Sequence, residues 1–496
     1  MRHMGLGLTD SVTADDAQVG VVGASRDLAP GLERCFRFEA VEDAYAVTGI
    51  EGRIPAWLRG SYYVNGPARF ARGGLEYRHW LDGDGMVCAL HFDGEGVKFA
   101  NRFVGTRKLR EEEAAGAPVY RTFGTAFAGD RLRRKMMLEA PVNVSVYPYA
   151  GTLLAFGEQT LPVELDPVTL ATRGEYDFHE RLNEVSPFAA HAKFDPATGH
   201  MFNFGISYSA NPSLQVYEFD GAGFLLSRRR FPLPCAHSVH DFSMSQRYFI
   251  FFLSPLFLNM EKVMREQLPV FDAMAWKPEA GSKIMLIPRA ANGTAISIET
   301  GSGYCLHMIN CFEQDGRLAV DLIELDEPIY PQYQPVPDLF ATAPGGRPVR
   351  YWIDPASQRV LERIPMGYDR TPDFPSIDNG LAARPYNEFW MLGISSSGET
   401  GRKFFDQLAR ASWRDGGAVD VYQTAAGEYL GGEPVFIANP NAPGEGLVMV
   451  QHLKPRAGSV DYLLFDAFQL KSGPLARLPL RHPVHPGFHA SFKASA

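Results

Sequence analysis

Short apolar segments recur along the chain from about residue 36 onwards, and Gly, Pro, Asp or Asn separate them. Many segments alternate apolar and polar residues, which is the pattern of half-buried β-strands, and the connections DGAG and EQDGR are typical of tight turns. Examples are GTLLAFGE, GHMFNFGISYS, RYFIFFLS, GRLAVDLIEL, EFWMLGIS and SVDYLLFDAFQL. The 48 Gly and 36 Pro along the whole length disfavour long helices, and only residues 257–266 and 402–411 favour a helix.

These many short strands predict an all-β fold. Because they continue without a linker, one closed β-propeller is favoured over two separate domains. No strict repeat is visible, so the pattern does not give the number of blades. Residues 1 to about 35 are mixed and contain Gly, Ala and Asp, so we predict a weakly structured N-terminal arm (1–35) before a single domain (36–496).

Composition and charge exclude several classes of protein. The 48 Lys and Arg against 57 Asp and Glu give a net charge of −9, which argues against a general nucleic-acid binder. Five cysteines without a CxxC pair favour reduced thiols in the cytoplasm. No window approaches the ~20 apolar residues of a transmembrane helix, and the polar start MRHMGLGLTDSVTADD lacks the apolar core of a secretion signal. Nothing in the sequence indicates an oligomeric state.

Four histidines stand in unusual contexts: His191 in AHAKFDPATGH, His240 in HSVHDFSM, His307 in YCLHMINCF and His489 in HPGFHASF. A single histidine, of the 13 in the chain, is more often a hydrogen-bonding residue than a ligand. All four, however, lie in strands or at strand ends from separate parts of the chain, and a propeller brings such residues together on its axis. Their spacings of 49, 67 and 182 residues correspond to about one, one and several blades of ~40–50 residues each. Neutral imidazoles suit iron, copper, nickel and zinc.

Five motifs in a fixed order carry a family resemblance that covers the chain from about residue 35 to its end. They are EGRIPAWLRGSYYVNGPARF (51–70), HWLDGDGMVCALHF (79–92), AHAKFDPATG (190–199), HSVHDFSMSQRYFIFF (237–252) and PLARLPLRHPVHPGFHASF (474–492). Each motif alone is weak, but together, with all four histidines present, they are specific. On these motifs the chain resembles the carotenoid cleavage oxygenase family.

The resemblance implies a seven-bladed β-propeller, capped by loops and short helices over an axial metal site. It implies one Fe(II) per chain with four ligands, His191, His240, His307 and His489. It also implies outer carboxylates that hydrogen-bond three of these histidines, at Glu158, Asp373 and Glu433. Where the family usually has a Glu-Phe-Pro triplet, this chain has Asp373-Phe374-Pro375. Because aspartate is one methylene shorter, we expect its hold on a histidine to be looser or bridged by water.

Two further positions bear on the substrate that the resemblance implies. Many members have a threonine near the open face of the iron, where this chain has Val144; we expect valine to crowd one coordination position without abolishing activity. Members that cleave phenolic stilbenes replace the first glutamate with lysine and have a partnering tyrosine at the position that corresponds to Gly124. This chain keeps Glu158 and has glycine there, which favours a polyene substrate.

The reaction implied is cleavage of a C=C bond of a carotenoid or apocarotenoid with O2 as cosubstrate, which gives two aldehydes or ketones. The metal activates oxygen and a tunnel holds the polyene beside it, so no catalytic residue is expected beyond the iron site. The 34 Phe and 20 Tyr are candidates for tunnel lining, although most aromatic residues of a propeller lie in its core.

An insoluble polyene is taken up from a membrane, so peripheral membrane contact is expected. The segment FIFFLSPLFLNMEKVM (249–264) is apolar and too short to span a bilayer, and fits an interfacial patch. Anionic headgroups could be met by Arg131, Arg133, Arg134 and Lys135. The alternative is that 249–254 is a buried strand and that the basic run is a solvated loop.

Several alternatives to carotenoid cleavage stay open on the sequence alone. Within the family they are cleavage of a stilbene or phenylpropene by the same iron chemistry, and a retinoid-type isomerisation. From a different class comes a metal-free propeller that binds a lipid or a partner. A calcium-dependent propeller hydrolase would need clustered Asp, Asn and Glu ligands, and the sequence shows no such cluster.

Overall fold

The computed structural model describes residues 27–134, 137–333 and 339–495. In these ranges the strands form seven antiparallel sheets of four or five strands, beside two short hairpins. Each of the seven sheets is one blade. At one edge of each blade is an inner strand, and the inner strands of neighbouring blades contact one another around a central axis. The prediction of a seven-bladed β-propeller is therefore confirmed.

The strands of the first four blades, with the inner strand first, have the following bounds. Blade 1 comprises Ala490–Ala494, Gly60–Ala68, Asp84–Phe92, Val97–Phe103 and Asp43–Ala46; blade 2 comprises Ser145–Tyr149, Thr152–Phe156, Val163–Leu165 and Thr172–Glu175; blade 3 comprises Lys193–Phe194, Met201–Ser207, Ser213–Phe219 and Leu225–Pro232; blade 4 comprises Ser243–Met244, Tyr248–Leu253, Ser282–Pro288 and Ile296–Gly301.

The last three blades follow in chain order. Blade 5 comprises Tyr304–Gln314, Arg317–Leu325, Gly346–Asp354 and Arg359–Pro365; blade 6 comprises Asp373–Ser376, Glu388–Gly393, Gln407–Ser412 and Gly417–Gln423; blade 7 comprises Tyr429–Ala438, Gly446–Lys454, Ser459–Asp466, Ala476–Pro479 and Glu51–Gly52. Outside the blades are the hairpins Ala71–Arg72 with Leu75–Glu76 and Leu256–Leu258 with Met274–Trp276, and the helices Arg107–Ala115 and Met260–Arg265.

Packing of blade against blade explains the hydrophobic pattern of the strands. Second strands such as Thr152–Phe156 are buried on both faces and read as continuous apolar runs. The outer strand Leu225–Pro232 instead alternates half-buried and exposed residues, since one of its faces meets water. Large aromatic residues fill the space between blades: the ring of Trp390 stacks on Phe436 of the next blade, with ring centroids 4.5 Å apart.

The ring is closed by strands from opposite ends of the chain. Ala490–Ala494 pairs antiparallel with Gly60–Ala68, and Val64 lies opposite Ala490. Blade 7 is completed in the same way, because Glu51–Gly52 pairs with Ala476–Pro479. Closure leaves no free lateral edge between the first and last blades.

The described end of the expected N-terminal arm is packed against the propeller, which corrects the prediction for residues 27–35. Leu32 is fully buried in the core, and the N–H of Leu28 donates to the carbonyl of Arg402 at 2.8 Å. The apolar side chains of this short segment, such as Leu32, are buried against the propeller, and the mixed composition of the segment did not indicate this. The rest of the predicted arm, residues 1–26, lies outside the described residues.

The two helix predictions had different outcomes. Within 257–266, a helix runs over Met260–Arg265 and Asn259 caps its N-terminus. The prediction for 402–411 was wrong: Gln407–Ser412 is a strand of blade 6, because Phe404 and Phe405 are both buried and the surrounding blades set the backbone. A helix not predicted from the sequence, Arg107–Ala115, has an N-cap at Thr106 and a left-handed glycine at its C-terminus, which are recognisable signals.

The apolar stretch 249–264 is divided by the fold. Its first part lies in Tyr248–Leu253, a buried strand of blade 4, so these residues cannot form a surface patch. Of the basic run, Arg133 is also buried, because its guanidinium pairs with Glu175 at 2.9 Å and Glu184 at 2.7 Å. Arg131 and Arg134 are exposed, and Lys135 lies outside the described residues.

Segments outside the blades bring aromatic side chains together beside the inner strands. His79 packs on Phe123 and Phe271, with ring centroids 4.8 and 5.4 Å apart, and the N–H of Phe271 donates to the carbonyl of Phe123. Tyr333 packs on Trp80 at 5.4 Å. These are the segments that we predicted to cap the axial site, and that role stays a prediction. Among the described helices, none has the length and apolar character needed to cross a membrane.

Asn65 links blade 1 to blade 2 and provides a test of ring closure. Its fully buried amide donates to the carbonyls of Val142 and Ser145, at 3.1 and 3.0 Å. Asn65→Ala removes both hydrogen bonds, so we expect the free energy of unfolding to fall by about 2 kcal/mol. Urea denaturation measures the loss, and Asn441→Ala at an exposed turn is the control. Equal stability of the two variants would contradict this role.

Candidate metal centre

Four blades present one histidine each to the axis. His191 and His240 lie just before the inner strands of blades 3 and 4, His307 lies within that of blade 5, and His489 directly precedes that of blade 1. All four side chains are buried, and one nitrogen from each lies within 4.8 Å of the others. The structure thus brings together all four histidines selected from the sequence.

The Nε2 atoms face a common centre. Those of His191 and His240 are 3.0 Å apart, and the rings of His307 and His489 lie 4.7 Å apart between centroids. Nε2 of His307 is buried and has no hydrogen-bond partner. A buried unpaired nitrogen is costly, and coordination to a metal ion would satisfy it. Four converging imidazole nitrogens therefore fit a transition-metal ion.

Burial keeps two of the histidines in the neutral form that coordinates metals. It lowers the pKa of His191 well below its ordinary value, and the three neighbouring histidines lower it further. Burial also lowers the pKa of His489, although Glu433 opposes the shift. His307 differs: burial lowers its pKa, but the nearby carboxylate of Asp373 outweighs burial, and the pKa is raised.

Each of the three outer carboxylates chosen from the sequence faces the Nδ1 atom of a different histidine. An oxygen of Glu158 lies 2.6 Å from Nδ1 of His240, although its alignment falls outside hydrogen-bond geometry. An oxygen of Glu433 lies 3.4 Å from Nδ1 of His489 and accepts the N–H of Ala490 at 3.1 Å. Carboxylates in such positions fix the ring orientation of a ligand and increase its basicity.

Asp373 holds His307 directly, which corrects the expectation of a looser or water-bridged contact. Its Oδ1 lies 2.5 Å from Nδ1 of His307, and its Oδ2 accepts the hydroxyl of Tyr333 at 3.1 Å. The backbone compensates for the shorter side chain. The inner strand of blade 6 shifts register after Asp373, and Phe374 has a left-handed φ of 53°, so the carboxylate is presented close to the imidazole.

A fourth carboxylate, Asp241, faces the remaining histidine and was not selected from the sequence. Its Oδ1 lies 3.8 Å from Nδ1 of His191 and 2.8 Å from Nζ of Lys193. Burial raises the pKa of Asp241, but Lys193 and other neighbours outweigh burial, so the pKa is lowered. The sequence did contain a signal, because Asp241 directly follows His240.

Comparison with known proteins places this site in a family. The model of the family described as retinal pigment epithelial membrane protein matches residues 36–494. The chain belongs to this family. The match confirms the resemblance drawn from the five sequence motifs.

Relatives within the retinal pigment epithelial membrane protein family differ in the activity that they are named for. The apocarotenoid-15,15'-oxygenase of Synechocystis sp. is 29% identical over 475 residues, which cover 92% of this chain and 95% of the relative. The isoeugenol monooxygenase of Pseudomonas nitroreducens is 26% identical, and the match covers 89% of this chain and 93% of the relative. The structure of cobalt-substituted Synechocystis apocarotenoid oxygenase has a TM-score of 0.87 at 28% identity, over 95% of this chain and 100% of that one.

Val144, where many family members have threonine, lies beside His489 and His191. Its carbonyl accepts the N–H of His489 at 3.1 Å, and its buried side chain packs in one cluster with Ala190 and Ala192. Valine offers no hydroxyl, so this part of the site is apolar. That Val144 crowds a coordination position stays a prediction.

An axial cavity of about 420 Å³ extends from the site along the inner strands. It is the one described cavity that includes an outer carboxylate, Glu433, and its lining also contains Lys193, Ser243, Asn310 and Ser491. Apolar side chains such as Phe194, Met308 and Ile377 complete the lining, which is therefore mixed in polarity.

Gly124 occupies a position where no side chain fits. A Cβ atom there would lie 2.3 Å from Cβ of His79, and the N–H of Gly124 donates to Asp82 at 2.8 Å. We expect Gly124→Ala to lower the free energy of unfolding by about 1–3 kcal/mol, because the backbone must shift to admit the methyl group. The matched control is Gly96→Ala, where the added atom meets nothing within 4 Å. Thermal or chemical denaturation compares the stabilities of the two variants. Wild-type stability in Gly124→Ala would show that the segment carrying His79 shifts without an energetic cost.

Proposed function

We propose that this protein is a non-haem Fe(II) dioxygenase that cleaves a C=C bond of a carotenoid or apocarotenoid with O2 and yields two carbonyl products. The observation that carries the proposal is the convergence of four buried histidines, each with Nδ1 facing a carboxylate. A relative in the same family is named an apocarotenoid oxygenase. We further propose that residues 36–496 act as one oxygenase domain.

In this proposal His191, His240, His307 and His489 hold the iron. When bound, Fe(II) with four neutral nitrogen ligands supplies open positions at which O2 is activated. The protein holds the imidazoles in place: Asp373 hydrogen-bonds Nδ1 of His307, and Glu158 and Glu433 face Nδ1 of His240 and His489, so that the Nε2 atoms remain directed to the centre. No acid or base acts at the alkene, and the site determines which double bond lies near the metal.

Two features favour a polyene over a phenolic stilbene. Glu158 remains at the position where stilbene-cleaving members have lysine, and it is engaged with His240. At Gly124 the contact with His79 leaves no room for a partnering tyrosine. The aromatic side chains of the segments outside the blades, among them Phe123 and Phe271, add flat apolar surface suited to a conjugated chain.

Cleavage of a phenylpropene or stilbene is the second candidate. A relative of nearly equal similarity is named isoeugenol monooxygenase. Tyr304 and Tyr330 also offer buried hydroxyl groups, with ring centroids 6.3 Å apart, which a phenolic substrate could use. The metal-free binding module has less support, because it would leave Nε2 of His307 buried without a partner.

Peripheral contact with a membrane is proposed for a narrower segment than 249–264. After the buried strand of blade 4, the helix Met260–Arg265 carries Met264, which is 38% exposed, and half-buried Met260. In the described part of the basic run, Arg131 and Arg134 are exposed, and Arg134 contacts Glu184. Attachment of this kind supplies insoluble substrate without a spanning helix.

Metal analysis tests the ligand set. We expect the purified protein to retain near-stoichiometric iron under anaerobic conditions, and His240→Ala to lose it, because one of four ligands is removed. The control is His452→Ala, which removes another buried histidine, one that pairs with Glu428 and is not part of this cluster. Unchanged iron in His240→Ala would remove that residue from the site.

Product analysis tests the substrate class. The iron-loaded protein is incubated aerobically with carotenoids, apocarotenals, isoeugenol and hydroxystilbenes, and the carbonyl products are identified by mass spectrometry. We expect new aldehydes or ketones from a polyene, with one oxygen atom from O2 added to each of the two products. Cleavage of the phenolic compounds alone would establish the second candidate. Absence of iron even after reconstitution would instead favour the binding module.

A further inference from the structure

A lysine–aspartate ion pair lies at the axis among the four histidines. Nζ of Lys193 is 2.8 Å from Oδ1 of Asp241, whose side chain is 2% exposed. The aspartate is fully engaged. Its Oδ1 accepts the N–H of Phe242 at 2.8 Å, and its Oδ2 accepts the N–H of Met308 at 2.9 Å.

The ion pair is connected to two of the histidines, His191 and His240. Asp241 follows His240 directly, so its backbone belongs to the segment that presents that imidazole. Lys193 is two residues after His191, and Oδ1 of Asp241 faces Nδ1 of His191 at 3.8 Å, which is beyond hydrogen-bond distance. Through these contacts the pair joins the inner ends of blades 3 and 4.

The hydrogen bond to Met308 extends the connection to blade 5. The inner strand Tyr304–Gln314 shifts register on both sides of Met308, which makes a bulge next to His307. Bulges of this kind redirect a side chain and leave backbone groups in need of partners. Asp241 supplies the acceptor for the N–H of Met308, and so fixes the bulge that directs His307 to the axis.

The electrostatic role of Asp241 differs from that of the other three carboxylates. In the described part of the chain, Asp241 pairs with a lysine, whereas Glu158, Asp373 and Glu433 have no ion pair with Lys or Arg. The positive charge of Lys193 offsets the negative charge of Asp241. The pair therefore contributes geometry to the site with little net charge.

We propose that Lys193 and Asp241 are positioning residues that together set the places of His191, His240 and His307, and thereby the affinity of the site for its metal. The proposal rests on the proposed function, since it requires that these histidines bind a metal. Neither residue touches the metal or the substrate. Loss of the pair leaves all four histidines in the chain, but three of them, His191, His240 and His307, are held less firmly in place.

The experiment measures metal binding in Lys193→Met and Asp241→Asn. We expect both variants to bind Co(II) at least about tenfold more weakly than the wild type, in the range known for outer partners of metal ligands. We also expect their visible absorption bands to shift, because these bands report the arrangement of the ligands. Lys193→Arg keeps the charge and should retain most of the affinity.

The chain offers a closely matched control in blade 7. Nζ of Lys454 lies 2.7 Å from Asp461, and the side chains are 23% and 1% exposed, against 26% and 2% for Lys193 and Asp241. Lys454→Met breaks a similar pair outside the histidine cluster, although Asp461 keeps a second partner in Arg477 at 2.8 Å. It should leave the Co(II) affinity and spectrum unchanged. Melting temperatures of the metal-free proteins show whether the variants are folded.

The outcomes separate this inference from the proposed function. Wild-type affinity and spectrum in Lys193→Met and Asp241→Asn, or an equal loss in Lys454→Met, would overturn the positioning role. If Asp241→Asn does not fold, Lys193→Met decides alone. A wild-type protein that binds neither cobalt nor iron would contradict the proposed function itself.

Discussion

The metal centre depends on closure of the propeller ring. Its four histidines come from blades 1, 3, 4 and 5, and the last of them, His489, is placed by the strand Ala490–Ala494 that pairs with Gly60–Ala68. Asn65 joins this closure to the site, since its N–H donates to the carbonyl of His489 and its carbonyl accepts the N–H of Phe488. The pairing of strands from opposite ends of the chain therefore also places His489 beside the other three histidines.

The four carboxylates lie at increasing distances from the histidines that they face. Their oxygens lie 2.5 Å from His307, 2.6 Å from His240, 3.4 Å from His489 and 3.8 Å from His191. The raised pKa of His307 accompanies the shortest of these contacts, and the strongly lowered pKa of His191 accompanies the longest. The four histidines have the same side chain, but the protein gives each a different environment and hence a different basicity.

The sequence predicted more of this site than of the backbone that carries it. Strand patterning gave the fold class, and family motifs identified the histidines and three of the carboxylates. The helix expected at 402–411 was wrong, and the first part of the patch expected at 249–264 is the buried strand that was its alternative. Both outcomes have one cause, since burial between blades makes apolar runs that local periodicity cannot interpret. Asp241 was missed because its role depends on Lys193 and Met308, which are distant in sequence. The direct contact of Asp373 with His307 depends on the register shift beside Asp373, and the amino-acid sequence does not indicate that shift.

Each blade places one of seven residues in or just before its inner strand near the histidine cluster, and these residues divide into two kinds. Blades 1, 3, 4 and 5 contribute the histidines, whereas blades 2, 6 and 7 contribute Val144, Asp373 and Glu433. Side chains that adjust the histidines come from both kinds of blade, since Lys193 and Asp241 lie on blades 3 and 4 beside His191 and His240. Within one protein lineage, substitutions on the three blades without ligands can change reactivity or selectivity while the donor atoms stay constant, so the propeller permits diversification of chemistry without rebuilding the metal site.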